Sequence, residues 1–388
     1  MQNKSVVATA DNAPSSLRSG RLNPAVPHFK RSVKNGTHMA IMNITLFNAL
    51  LLAQLTSFLA ADEPARSERP EPSAPIVSDG NSERLKYELP IQPDENVAYG
   101  SHQKQMIYFW RAKSDRPTPL LIYIHGGGWN GGDRSVVRDM LIPALDAGIS
   151  VASVEYRTIR ESTVDGLLPP VKGPMLDCAR AIQFCRSKSK EWNLDKAKVA
   201  LSGGSAGACT SLWLAFHDEM ADPNSPDPIA RESTRVLCAA VSGAQTTLDP
   251  HQMREWIPNS KYGAHAFGIA WDAKKNISSF QMFYDARERI LPWIKEYSPY
   301  ELVTRDDPPV GLFYSTPPNL GHNENDPTHS ANFGVKLKEH CDAIQVKCEF
   351  VYPGAPHVKH PTASDYIKTY LRPKPVSDQP HEPEQDAP

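Results

Sequence analysis

Charge of one sign is missing as an excess: 42 Lys and Arg stand against 44 Asp and Glu, a formal net charge of −2 over 388 residues. Nothing in that balance points to nucleic acid or an anionic membrane surface as a partner. Cysteine is sparse as well. None of the six has the spacing of a zinc site. Cys178 and Cys185 stand seven apart on one predicted helix, a rise of ~10 Å and so beyond the ~7 Å reach of a disulfide. Cys341 and Cys348 flank a predicted helix-to-strand turn and could pair; the others read as small buried hydrophobes. Long apolar runs are nearly absent. The one that exists spans residues 40–61, and none has the form of a lipase lid. There is no internal repeat.

What is present divides the chain into four parts. Residues 1–38 are polar and without apolar period. The run 40–61 ends Ser57-Phe58-Leu59-Ala60-Ala61, with Lys30, Arg31 and Lys34 before it. Basic flank, apolar stretch and small residues at the end read as a secretory signal. Leu59 and the long n-region depart from that pattern, and a membrane anchor is the competing reading, weakened by Asn43, Thr45, Asn48 and Gln54. Residues 62–82 and 374–388 are Pro/Ser/charge-rich and read as disordered linker and tail. The remaining stretch, 83–373, reads as one domain, exported and without stable membrane insertion once the signal is cleaved. Apolar residues make up 40% of the chain, enough for a sizeable core.

Within 83–373, strand-length apolar runs alternate with helical patterns. The runs are 118–124, 149–154, 198–202, 236–241, 310–315 and 346–352; helices are predicted over 174–190, 205–220, 329–343 and 361–371. Near-continuous apolar strands imply burial on both faces, hence a mostly parallel sheet with helices on each side. Segments 86–90 and 105–111 alternate and read as antiparallel edge strands. Residues 250–300 break the rhythm, with Trp256, Tyr262, Phe267, Trp271 and Phe283 among their aromatics, and read as a cap or insertion.

Two glycine motifs carry chemistry. Gly203-Gly204-Ser205-Ala206-Gly207 fits G-x-S-x-G between a predicted strand and a predicted helix, the context of a nucleophile elbow. The motif alone is weak evidence. His125-Gly126-Gly127-Gly128-Trp129 follows the run ending at Ile124, where backbone N–H groups can face a developing oxyanion. It lacks the Gly-Lys-Ser/Thr ending of a phosphate loop. His125 itself reads as structural.

Together, in this order, the two motifs resemble the α/β-hydrolase superfamily and, within it, the HGGGW-type esterases. That group includes hormone-sensitive-lipase-like carboxylesterases, acetylxylan and feruloyl esterases, and kynurenine formamidase-like enzymes. The block from His125 to Asp133 looks most like the carbohydrate-esterase branch. Glu155-Tyr156-Arg157 is similar to the D-Y-R element, with Glu for Asp. The resemblance covers about 84–372 and is weakest over 250–300. It implies Ser205 as nucleophile and an oxyanion hole from the backbone of Gly127, Gly128 and Ala206. The acid would follow the strand ending near Ser315, with Asp326 preferred over Glu324 because Asp326-Pro327 matches the acid-Pro element. The base would follow the last strand: Pro353-Gly354-Ala355-Pro356-His357 resembles Y-P-G-x-x-H, which favours His357 over His360. The other histidines, His251, His265, His322 and His329, read as ordinary polar residues. The expected reaction is hydrolysis of carboxylic esters through an acyl-enzyme, with no metal or organic cofactor. Short acyl or feruloyl groups on a carbohydrate are the expected substrate, a small molecule or a polysaccharide; a general carboxylesterase on small lipophilic esters is the alternative. A formamidase fits an exported chain less well. An inactive hydrolase fold used for binding is the reading from another class, and the presence of candidates for every role weighs against it.

Overall fold

The computed structural model describes residues 89–270 and 278–371. The N-terminal extension with its apolar run, the linker and the C-terminal tail lie outside the described residues. Among the described residues, eight strands build one sheet: β1 (Glu95–Ala98), β2 (Met106–Trp110), β3 (Thr118–Ile124), β4 (Ser150–Val154), β5 (Leu194–Gly204), β6 (Cys238–Ser242), β7 (Val310–Phe313) and β8 (Cys348–Val351). Their order is β1-β2-β4-β3-β5-β6-β7-β8. β2 pairs antiparallel with β1 and β4, and every other pairing is parallel. This is the mostly parallel α/β-hydrolase sheet that the sequence implies. The first edge strand among the described residues forms at 95–98; residues 86–88 of the strand expected over 86–90 lie outside the described residues. Leu89 and Pro90 are not in a strand, and Pro90 and Pro93 lack the N–H a ladder needs, so among the described residues pairing starts beyond them.

The side-chain period of two sorts the strands onto both faces. Leu120, Ile122 and Ile124 of β3 join Val199, Leu201 and Val241 in one buried cluster, together with the helices Lys172–Ser187 and Ala206–Phe216. Leu121, Val151, Ala200 and Ala240 point the other way, onto Leu141 and Ala144 of the helix Arg138–Asp146 and Ile367 and Leu371 of the helix Ala363–Leu371. Burial on both faces is why these strands read as unbroken apolar runs. The described cysteines are free thiols. Cys341 and Cys348 are therefore not bridged; a hydrogen bond between their side chains and burial push the Cys348 thiol up.

The segment 250–300 runs between β6 and β7 and carries the helices Pro250–Trp256, Ser279–Asp285 and Arg287–Tyr297. It packs on the helix after Ser205: the Trp213 indole donates to the Glu296 carbonyl at 2.8 Å. That helix is buried along its whole length, with sheet on one side and this segment on the other. Trp271 lies outside the described residues. Parallel strands end on one edge, so the loops after β3, β5, β6 and β7 gather there, where open α/β sheets bind ligands.

Candidate active site

Ser205 sits where β5 turns into the helix Ala206–Phe216, at φ +53° and ψ −122°. A non-glycine residue holds that conformation only when its surroundings enforce it. Here the Ser205 N–H donates to the Ser242 carbonyl at 3.0 Å and its carbonyl accepts from Cys209 N–H at 2.9 Å. Close approach of the helix to β3 completes the turn. A Cβ on Gly207 would lie 2.1 Å from the Ile124 carbonyl oxygen and 2.5 Å from that of His125. Gly207→Ala is expected to lower the unfolding free energy by about 1–3 kcal/mol, read as a lower urea midpoint. An unchanged midpoint would mean that helix and strand can part without strain.

The loop after β3 is fixed at both ends. The His125 ring is buried, stacked 4.2 Å from the Tyr156 ring, and its carbonyl accepts from Tyr156 O–H at 2.7 Å. Burial holds its pKa below the usual imidazole range, and it takes no part in the Ser205 hydrogen bonds: its place is structural. Arg157, next to Tyr156, is held by Asp177 and Asp165. At the other end the Trp129 indole is fully buried and donates to Thr210 Oγ1 at 3.0 Å, tying the loop to the helix that starts after Ser205. Between them Gly127 and Gly128 take φ +106° and +61°. The Gly127 carbonyl accepts from the N–H groups of Asn130 and Gly131, which curls the loop. Gly126 lies against the nucleophile turn, since a Cβ there would stand 3.3 Å from Ser205 Cβ. Ala206 opens its helix, so its N–H belongs to the first turn, which has no intrahelical acceptor.

The partner of Ser205 is His329, not His357. His329 Nε2 lies 2.9 Å from Ser205 Oγ and Nδ1 lies 2.7 Å from Asp326 Oδ2. With Asp326 ionised, Nδ1 carries the proton, so Nε2 accepts from the Ser205 hydroxyl. The acid and the imidazole stand three residues apart in one loop. Asp326 Oδ1 also accepts from the N–H groups of Thr328 and His329. Partial burial pulls the Asp326 carboxyl upward, but these hydrogen bonds and the His329 ring outweigh it and hold it below the ordinary carboxylate range. Gly243, after β6, makes room for the ring: a Cβ there would touch His329 Cβ and Cδ2 at 3.4 Å.

The long polar loop 315–331 is braced from outside. Asn259 of the segment 250–300 donates to the Glu324 carbonyl at 2.8 Å and accepts its N–H at 3.0 Å. Gln245 donates to the Thr328 carbonyl at 2.6 Å, and Asn332 donates to the carbonyls of Trp256 and Asn319. Glu324 is thus held by its backbone. Its carboxyl, pushed above the usual range by burial, is not in the Ser205 chain of hydrogen bonds.

The loop after β8 points elsewhere. His357 is exposed, at φ +54°, and among the described residues no hydrogen bond joins it to Ser205 or Asp326. His360 is committed to Glu349: Nδ1 lies 2.6 Å from Oε2, and the backbone N–H groups of Lys359 and His360 donate to Oε1. Glu349 on β8 thereby draws this loop to the sheet edge. β8 stands three places from β5, about 14 Å at ~4.8 Å per strand, while β7 stands one strand closer. The one sequence signal for His329 was its place in D-P-T-H, three residues beyond the preferred acid.

Comparison with known proteins agrees with this fold. The BD-FAE family model matches residues 107–320, more than half of the chain, and ends before Asp326 and His329. Among curated proteins, "Esterase LipC" of Mycobacterium tuberculosis is 30% identical over 116 residues, 29% of this chain and 27% of that protein. "Carboxylic ester hydrolase LipN" of the same organism is 30% identical over 125 residues, 31% of each chain. The curated relatives are matched over only 5–44% of their own length. Among solved structures, Thermogutta terrifontis esterase 2 superposes with TM-score 0.54 at 18% identity, over 75% of this chain and all of that one. An acetyl ester-xyloside bifunctional hydrolase from Caldicellulosiruptor lactoaceticus gives TM-score 0.50 at 18% identity, over 72% and 94%.

Proposed function

This chain belongs to the BD-FAE family, and we propose that it is a serine carboxylic ester hydrolase whose acid and base both come from the loop after β7. The observation that carries the proposal is the hydrogen-bonded chain Ser205–His329–Asp326, at 2.9 and 2.7 Å. A serine hydroxyl needs a base to become nucleophilic, and the base needs an acid to fix its tautomer. His329 Nε2 takes the Ser205 proton as Oγ attacks the ester carbonyl. The N–H groups of Gly127, Gly128 and Ala206 receive the oxyanion, each such donor contributing about 3–4 kcal/mol. His329 then gives its proton to the departing alkoxide, leaving an acyl-enzyme. Water, deprotonated by the same imidazole, releases the acid and restores Ser205.

For substrate, we assign short acyl or feruloyl esters of carbohydrates. Support comes from the His125–Asp133 block. A general carboxylesterase acting on small lipophilic esters is the second reading, favoured by the names of the curated relatives. An exported location belongs to the same proposal, read from residues 40–61.

The test is turnover by the full chain of p-nitrophenyl acetate, butyrate and octanoate beside acetylated xylan and methyl ferulate. The expected result is hydrolysis of acetate esters and of at least one carbohydrate ester, lost in Ser205→Ala. Equal rates in wild type and Ser205→Ala on every substrate would overturn the esterase reading. A preference rising towards octanoate, with no carbohydrate turnover, would favour the second.

A further inference from the structure

The segment 242–245, where β6 ends, touches both partners of the Ser205–His329 hydrogen bond. The Ser242 carbonyl holds the Ser205 N–H at 3.0 Å. Gly243 lies against the His329 ring, where a Cβ would meet Cβ and Cδ2 at 3.4 Å. Gln245 reaches the chain just before that ring: its Nε2 donates to the Thr328 carbonyl at 2.6 Å and to the Gly243 carbonyl at 3.1 Å. The segment is itself tied to β7 and the residue after it. Gly243 N–H donates to the Phe313 carbonyl at 2.9 Å, and the Ala244 carbonyl accepts from the Tyr314 hydroxyl at 2.8 Å.

The Thr328 carbonyl and the His329 N–H belong to one peptide unit. A trans peptide is planar, and its C=O and N–H point in opposite directions. Held by Gln245 on one side, this unit turns the His329 N–H to the other, where Asp326 Oδ1 accepts it at 3.3 Å. The same carboxylate takes ring Nδ1 on Oδ2 at 2.7 Å. One side-chain amide thus fixes the backbone that presents the imidazole to its acid and to Ser205.

Gln245 is fully buried. Both groups facing its nitrogen are carbonyl oxygens, which cannot donate, so the amide cannot be turned over without setting oxygen against oxygen. On its other side Oε1 is buried and makes no hydrogen bond among the described residues. An apolar side chain of the same volume would avoid that unpaired acceptor. What Gln supplies in exchange is two N–H groups, one of them on the peptide that carries the base. We infer that Gln245 is a positioning residue for ester hydrolysis, which sets the distance and angle of the His329 imidazole to Ser205 Oγ by locking the 328–329 peptide to the end of β6. The inference rests on the serine-hydrolase reading above and adds the residue that holds its base in place.

Steady-state kinetics on p-nitrophenyl acetate and the proton NMR resonance of His329 Nδ1–H, in the full chain, test it with three variants. Gln245→Met fills the space and donates nothing. Gln245→Glu, whose carboxyl burial keeps protonated, can still donate one hydrogen bond. Thr246→Val is the comparison: it removes a bond of the neighbouring residue, Thr246 Oγ1 to the Phe333 carbonyl at 2.9 Å, that does not bear on the 328–329 peptide. The expected result is a loss of about 10–100-fold in Gln245→Met, chiefly in kcat, with the downfield resonance lost or displaced. Gln245→Glu recovers part of both, and Thr246→Val keeps both near wild type. Wild-type kcat and resonance in Gln245→Met would overturn the inference, as would equal losses of kcat in Gln245→Met and Thr246→Val, which would assign Gln245 to packing alone. If circular dichroism shows Gln245→Met unfolded, Gln245→Glu decides: a folded Glu variant without the resonance overturns the inference, and one that keeps it with a reduced kcat supports it. The resonance is read without turnover. A chain that cleaves no ester would therefore sink the serine-hydrolase reading, while the response of the resonance still tells whether Gln245 sets the imidazole.

Discussion

Replacing His329 by Ala is expected to lower kcat/KM for p-nitrophenyl acetate by about 10⁴–10⁶-fold, as loss of the base does where base and nucleophile act as a unit. His357→Ala and His360→Ala are expected to stay near the wild-type value. The contrast follows from geometry: His329 Nε2 lies 2.9 Å from Ser205 Oγ, whereas His360 is spent on Glu349 and His357 lies exposed on the loop beside it. His360→Ala should instead lower stability, because it leaves Glu349 Oε2 without its ring partner. A profound loss in His357→Ala with an active His329→Ala would return the base to the loop after β8.

Asp326→Asn is expected to cost about 10²–10⁴-fold in kcat, and Glu324→Gln little. Asn can offer N–H to His329 Nδ1 and so favour the tautomer with the proton on Nε2, which cannot accept from Ser205. The range reaches below that of a buried acid because Asp326 is largely in solvent, with 64% of its side chain exposed, and water screens its attraction for the imidazolium. Its pH signature has a definite sign. Held below the ordinary carboxylate range, Asp326 stays charged through mild acid, so its own protonation does not set the acid limb of the rate. In Asp326→Asn the negative charge that favours the imidazolium is gone, so the acid limb of the residual activity should move to lower pH. Rates from pH 4 to 9 measure this; a limb displaced upward would contradict the assignment of Asp326.

Much of this arrangement was written locally. Strand runs buried on both faces, G-x-S-x-G between strand and helix, and the glycine loop after β3 are short-range patterns, set by backbone sterics and by a side-chain period of two. They give the sheet, the position of Ser205 and the loop bearing Gly127 and Gly128. Asp326 was legible too, from its proline and its place after a strand. His329 was not, because a histidine at a helix entrance looks like any other polar residue until its loop is placed.

The sequence by itself determined the parallel strands, four of the helices beside them and the nucleophile turn, since those depend on residues adjacent in the chain. Only the tertiary structure decided which imidazole meets Ser205. That choice rests on contacts remote in sequence. Asn259 and Gln245 brace the 315–331 loop, Gly243 clears space for the His329 ring, and Glu349 holds His360 at the sheet edge. The two candidate loops start from strands one place apart, and a loop's reach is set by what anchors it, which a linear motif does not contain.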